Sequence, residues 1–111
     1  MAKEAVEFQK GSIIDVTLTE DVNVGDIIPL GDMVGVAVVS GLSGEQIAVE
    51  IEKVWKINAK TADEISFGKT VYFDSTTREI TTTAESNTKA GKSISSKAAA
   101  TAGFVYVKIN V

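Results

Sequence analysis

Apolar and polar residues alternate with period two along most of the chain, and that period predicts β-strands. In residues 13–18, Ile14, Val16 and Leu18 share one face, while Asp15 and Thr17 take the other. The next segment, 19–26, is turn chemistry with its tightest corner at Gly25-Asp26. Residues 27–30 are apolar but hold Pro29, the only proline. A proline has no N–H for a ladder, so this segment belongs at a sheet edge or a strand end. Residues 33–39 are almost wholly apolar. Val34, Val36 and Val38 form a packed face, and Gly35 and Ala37 a small one that another sheet or another chain can approach closely.

A glycine-bearing corner at 40–45 leads to a second alternating run. Ile47, Val49, Ile51, Trp55 and Ile57 keep one phase, which reads as one side of a long strand. Ala48, Glu50, Glu52 and Lys56 line the other, solvated side, and Lys53 interrupts the buried one. A bulge, a position on the rim, or a carboxylate partner at a subunit contact would each accommodate that lysine. Further on, Thr61 and Glu64 have capping-box spacing, which predicts one helical turn over about 61–67. Residues 70–73 and 79–83 flank a turn and predict a hairpin. Residues 84–103 are rich in Ala, Ser, Thr and Lys and read as a mobile loop or an exposed edge strand. The segment 104–111 alternates again, with Val105, Val107, Ile109 and Val111 on one face.

The expected architecture is all-β: a small single-domain β-barrel or sandwich over 13–111, with one short helical turn. Residues 1–12 carry Val6 and Phe8 outside any strand pattern and read as an extended N-terminal arm that packs on a neighbouring chain.

Composition narrows the chemistry. The 111 residues suit one domain, and 44% are hydrophobic, the composition of a globular chain. Cysteine and histidine are both absent, which removes thiolate ligands, disulfides and the commonest general base. The net charge is −4, unevenly spread. Residues 1–67 hold twelve acids against five lysines, and residues 68–111 hold three acids against six Lys or Arg. An acidic balance argues against a nucleic-acid binder, and such polarity can orient subunits side by side. No run reaches the roughly 20 apolar residues of a membrane span, and the start lacks the apolar core of a signal peptide. These features point to no membrane partner and to synthesis in a cytoplasm. Asp21, Asn23 and Asp26 lack the spacing of a calcium loop, and Gly41 and Gly44 lack the Lys and helix of a phosphate loop. No enzyme motif, metal site or cofactor site is expected. Trp55 keeps the phase of the buried side and reads as core rather than as a stacking platform.

One family resemblance spans residue 11 to the end. Residues 31–60, "GDMVGVAVVSGLSGEQIAVEIEKVWKINAK", and 67–91, "FGKTVYFDSTTREITTTAESNTKAG", resemble in order the small capsid cement, or head decoration, proteins of tailed bacteriophages. The chain departs from that pattern at 89–100, which is more polar and basic, and at Gly11-Ser12, where the family opens Gly-Asp. The resemblance implies a non-enzymatic structural protein on the outer surface of the virion, made in the host cytoplasm. It would bind the major capsid protein and itself, as a homotrimer, and bridge capsid subunits. The residues expected at capsid or inter-subunit contacts are Lys3, Glu4, Val6, Phe8 and Lys10 of the arm, and Lys53. The alternative reading is a small carbohydrate- or cell-surface-binding β-module, for which Trp55, Tyr72 and Tyr106 are the candidate aromatics.

Overall fold

The computed structural model describes residues 5 and 11–111, and among these it forms nine strands and no helix. They are β1 (Ile13–Thr17), β2 (Ile27–Leu30), β3 (Met33–Ala37), β4 (Gln46–Glu50), β5 (Val54–Ala59), β6 (Thr70–Asp74), β7 (Glu79–Thr81), β8 (Thr88–Ser93) and β9 (Gly103–Ile109). The all-β expectation holds. The first four strands form an open sheet in the order β1-β4-β3-β2, and the last five form a closed barrel in the order β5-β7-β6-β8-β9. Of the expected arm, residues 1–12, only Ala5, Gly11 and Ser12 are among the described residues.

The barrel is a product of alternation. Val105, Val107 and Ile109 on β9 point inward, as do Ile57 and Ala59 on β5, Val71 and Phe73 on β6, and Ile80 on β7. Phe73 is the largest wholly buried side chain. The seam between β5 and β7 is the thinnest, a parallel contact made by Ala59 with Ile80 and extended by Lys60 N–H donating to the Ile80 carbonyl.

The open sheet has two apolar faces. On one, Val34, Val36 and Ile27 pack against the barrel core. On the other, Leu18, Val22, Ala37, Ile47 and Val49 build a second core with Val16, Ile28, Leu30 and Ile51. The small face of β3 therefore serves close approach within this chain. A Cβ on Gly35 would overlap Val49 Cγ1, so only glycine lets that valine lie across β3.

Three expectations need correction. The run 47–57 is two strands, because the chain turns at 51–53 with Lys53 at φ 86°, in the left-handed region. Its side chains stay in phase across the corner, which is why the sequence reads as one strand. Residues 84–103 contain β8, an inner stave of the barrel with Ala90, Gly91 and Ser93 buried. The barrel interior there is narrow and takes small residues. A Cβ on Gly91 would overlap the Lys108 carbonyl oxygen, and a register shift between Val71 and Tyr72 lies opposite.

The helical turn over 61–67 does not form. A β-turn closes with Asp63 N–H donating to the Lys60 carbonyl (3.2 Å), and Ile65 then bridges to Lys97. The decisive residue is Lys97, which is 7% exposed. Its Nζ donates to the carbonyls of Thr61 (3.1 Å), Asp63 (2.7 Å) and Ala98 (3.1 Å). Those three bonds occupy the three protons of an ammonium and compete with any helical use of the same carbonyls.

Sheet and barrel are joined by Asn110. Its Oδ1 accepts from Val34 N–H (2.9 Å), and its Nδ2 donates to the carbonyls of Val34 (2.7 Å) and Ile51 (2.8 Å). The register of β3 on β4 covers only Val36 and Ala37, so the asparagine takes over where β4 leaves the sheet.

Candidate functional site

Among the sequence-predicted contact residues, Lys3, Glu4, Val6, Phe8 and Lys10 lie outside the described residues. Lys53 is described, at the rim of the corner between β4 and β5. Its Nζ stands 2.7 Å from Glu50 Oε1, with the lysine side chain 68% exposed and the glutamate 2%. Glu50 is therefore not part of a solvated strand face, as its spacing from Glu52 predicts. It is buried beside Val36, and its Oε2 finds no hydrogen-bond partner among the described residues. A buried carboxylate is tolerated only when its charge is met, so Lys53 is tied to the fold as well as exposed.

The open sheet presents what a closed barrel lacks, namely edges. At β2 the edge is blocked. Asp26 accepts from Ala37 N–H, which places the ladder bonds of β2 at Asp26, Ile28 and Leu30 and turns Ile27 and Pro29 outward. The Ile27 carbonyl accepts from the Arg78 guanidinium (2.8 Å), and Pro29 has no N–H to offer. Arg78 is itself seated 4.9 Å over the Phe73 ring. The predicted edge position of Pro29 is thus realised.

β1 is the other edge strand among the described residues. Leu18 N–H donates to Glu45, and Ile51 N–H donates to Ser12. These bonds set the ladder on even-numbered residues, so Asp15 and Thr17 turn their backbone groups away from β4.

Between the two edges runs a groove of about 470 Å³. Val16 and Leu18 line it from one side, Ile28, Pro29 and Leu30 from the other, with Glu20, Asp21 and Asp26 at its rim and Arg78 and Ser75 among its lining. Its floor is the second core, so the groove is apolar below and mainly acidic along the rim.

A second exposed surface lies outside the barrel. Phe104 and Tyr106 on β9 meet edge to face with centroids 5.4 Å apart, and Lys56 Nζ stands 4.1 Å above the Phe104 ring. Val54 and Ile94 are also exposed. Trp55 is half-buried against the barrel core, and its Nε1–H donates to the Glu52 carbonyl (2.9 Å), so the indole has spent its donor internally. Among the described residues no group of His, Cys, Asp and Glu could hold a metal ion, and no helix is long and apolar enough to cross a membrane.

The remaining ionic features brace loops. Asp74 pairs with Lys60 (2.7 Å) and accepts from Thr76 N–H, which hold its carboxyl below the usual range. Burial alone would raise the Asp63 carboxyl. Hydrogen bonds from the Thr81 hydroxyl (2.6 Å) and Thr82 N–H (3.0 Å), with Lys60 and Lys97 near, outweigh it and leave the group lowered.

Residues 8–109 match the family described as phage cement protein. The chain belongs to the phage cement protein family. Cement proteins are capsid-stabilising components of phage particles, so the expectation carried by residues 31–60 and 67–91 holds. No curated protein and no solved structure matches the chain.

Sequence reasoning missed the groove, the buried Glu50 and the clamp at Asn110. Pro29 was the one local signal for the first, because it marks an edge. The other two need tertiary neighbours that no spacing reveals.

Proposed function

We propose that this cement protein binds the outer surface of a phage capsid and stabilises the shell by bridging capsid subunits, without catalysis. The family match over nearly the whole chain carries this reading. The partners are the major capsid protein and further copies of the chain, arranged as a homotrimer, with neither nucleic acid nor membrane. Synthesis takes place in the host cytoplasm before the protein joins the virion. Three features support attachment through several weak contacts: the arm residues Lys3, Glu4, Val6, Phe8 and Lys10, the exposed Lys53, and the aromatic face of Phe104 and Tyr106. A small domain has little surface to offer. Several copies engaging several subunits at once gain avidity that one contact cannot supply. The net charge of −4 suits a protein held away from packaged nucleic acid.

The test is co-sedimentation with purified, undecorated shells. The full chain should pellet with them, and a variant lacking residues 2–10 should bind far more weakly while giving an unchanged thermal melt. Undiminished binding by the truncated protein would remove the arm from the contact. A strict monomer by sedimentation, both free and on the shell, would remove the trimer.

A further inference from the structure

We infer that the outer face of the barrel docks on the acidic tip of the open sheet of a second copy of this chain. The inference rests on the reading of further copies as partners, and it names the surfaces they use. Charge is divided along the chain. Residues 11–52, which hold the open sheet, carry eight acids and no Lys or Arg. Residues 53–111, which hold the barrel, carry nine Lys or Arg against five acids. Strand register sets the outward side chains of the barrel beside one another. Lys56 of β5 lies next to Tyr106 of β9, and Lys108 lies between Val54 of β5 and Lys92 of β8. Ile94 N–H donates to the Tyr106 carbonyl, which sets the isoleucine at the far flank of the tyrosine. With Phe104 these make an exposed apolar face that carries three ammonium groups. None of the three pairs with a carboxylate among the described residues. Lys56 rests on the Phe104 ring, and Lys92 donates to Thr70 Oγ1 (3.2 Å).

The complement is at the tip of the sheet, where loops 19–26 and 40–45 are joined by the bridge of Val22 to Gly41. Glu20, Asp21 and Glu45 are exposed there, and so are Val24 (63%) and Leu42 (62%). Ser43 N–H donates to Asp21 and Leu42 N–H to Glu45, so the loops hold one shape and lose little freedom on docking. Apolar side chains meet apolar ones, and ammonium meets carboxylate, only when a tip faces a barrel. Tip against tip, or face against face, brings like charges together, so the sign pattern selects one orientation. The contact is heterologous. Each copy offers one surface to the neighbour ahead and the other to the neighbour behind, the arrangement from which closed rings are built.

The test exchanges the charges in full-length protein. One variant reverses the face, Lys56→Glu with Lys108→Glu, and another reverses the tip, Glu20→Lys with Glu45→Lys. All four positions are exposed, and thermal melts check that both variants fold. Association is read by sedimentation at low salt, free and with undecorated shells. The parent should self-associate, and each variant alone should do so about tenfold or more weakly. An equal mixture of the two should recover association, because the acidic tip of the first still meets the basic face of the second. A mixture that stays apart would overturn the proposal. Loss on reversing the face with no change on reversing the tip would do the same, since the face would then dock on something else. Association untouched by both reversals overturns this contact and leaves the trimer standing. A parent that is monomeric both free and on the shell overturns the two together. The capsid reading is scored apart, by whether the parent pellets with shells at all.

Discussion

In the barrel each of the five strands has a hydrogen-bonded neighbour on both sides, whereas in the open sheet β1 and β2 have one each among the described residues. The two regions are built from similar material, short alternating strands joined by tight turns. They differ in what is left over. The barrel spends its backbone groups on itself and presents side chains outward, among them Phe104, Tyr106 and Lys56. The sheet has edge strands among the described residues and an apolar groove. A self-contained half beside an incomplete half is a division of labour suited to a protein that must fold alone and then join an assembly. It also explains why one edge is blocked. A sheet edge left open pairs indiscriminately, and Pro29 with Arg78 closes the one at β2.

That contrast can be broken from the barrel side first. Phe73 fills the barrel and is 1% exposed, so Phe73→Ala should cost about 3–5 kcal/mol and remove most of the stability in a denaturant titration. Next comes the joint. Asn110→Ala deletes three hydrogen bonds and leaves Val34 and Ile51 backbone groups unsatisfied, at about 2–3 kcal/mol. Because the bonds tie the two regions together, hydrogen exchange should quicken in β3 more than in β6. Equal protection loss in both strands would show that the halves open as one.

Smaller in stability but sharper in meaning is Pro29→Val. It restores an N–H to the outer edge of β2, and should change stability by less than about 1 kcal/mol. Concentration-dependent association beyond that of the parent, read by light scattering, is the expected result. Unchanged association would mean that Arg78 alone suffices to close that edge. The smallest effect is confined to acid. The Asp63 carboxyl is lowered from 3.8 in the fold, so its contribution is complete above that value and fades as pH falls below it. Asp63→Asn should therefore be less stable than the parent near neutrality, and the two should converge in urea melts as pH falls below the usual carboxylate range.

Much of the strand pattern was legible in the chain. The faces of β1 and β9, the hairpin of β6 and β7, and the edge placement of Pro29 all follow from period two and from the chemistry of one imino acid. What was illegible has a common cause. The break at Lys53 is silent because Ile51 and Trp55 keep phase across it while the backbone turns. Strand β8 is masked because a tight barrel wants Ala90, Gly91 and Ser93 inside, a composition that elsewhere means a loop. Helical spacing at Thr61 and Glu64 lost to Lys97, whose ammonium sits 36 residues away in sequence from the Thr61 carbonyl that it binds. Of the candidate site, the arm stood out because it matched nothing around it. The groove could not, since a gap between β1 and β2 exists only once β3 and β4 have paired.

The clamp at Asn110 also sets a timetable. It reaches back 76 residues to Val34, and closing a loop of that length costs an entropy of about 4 kcal/mol. During synthesis the open sheet can form long before β9 emerges, with Val34 and Val36 still uncovered. Until the barrel strands follow, that apolar face stays uncovered, and the interval between those events is when this protein is most exposed to aggregation.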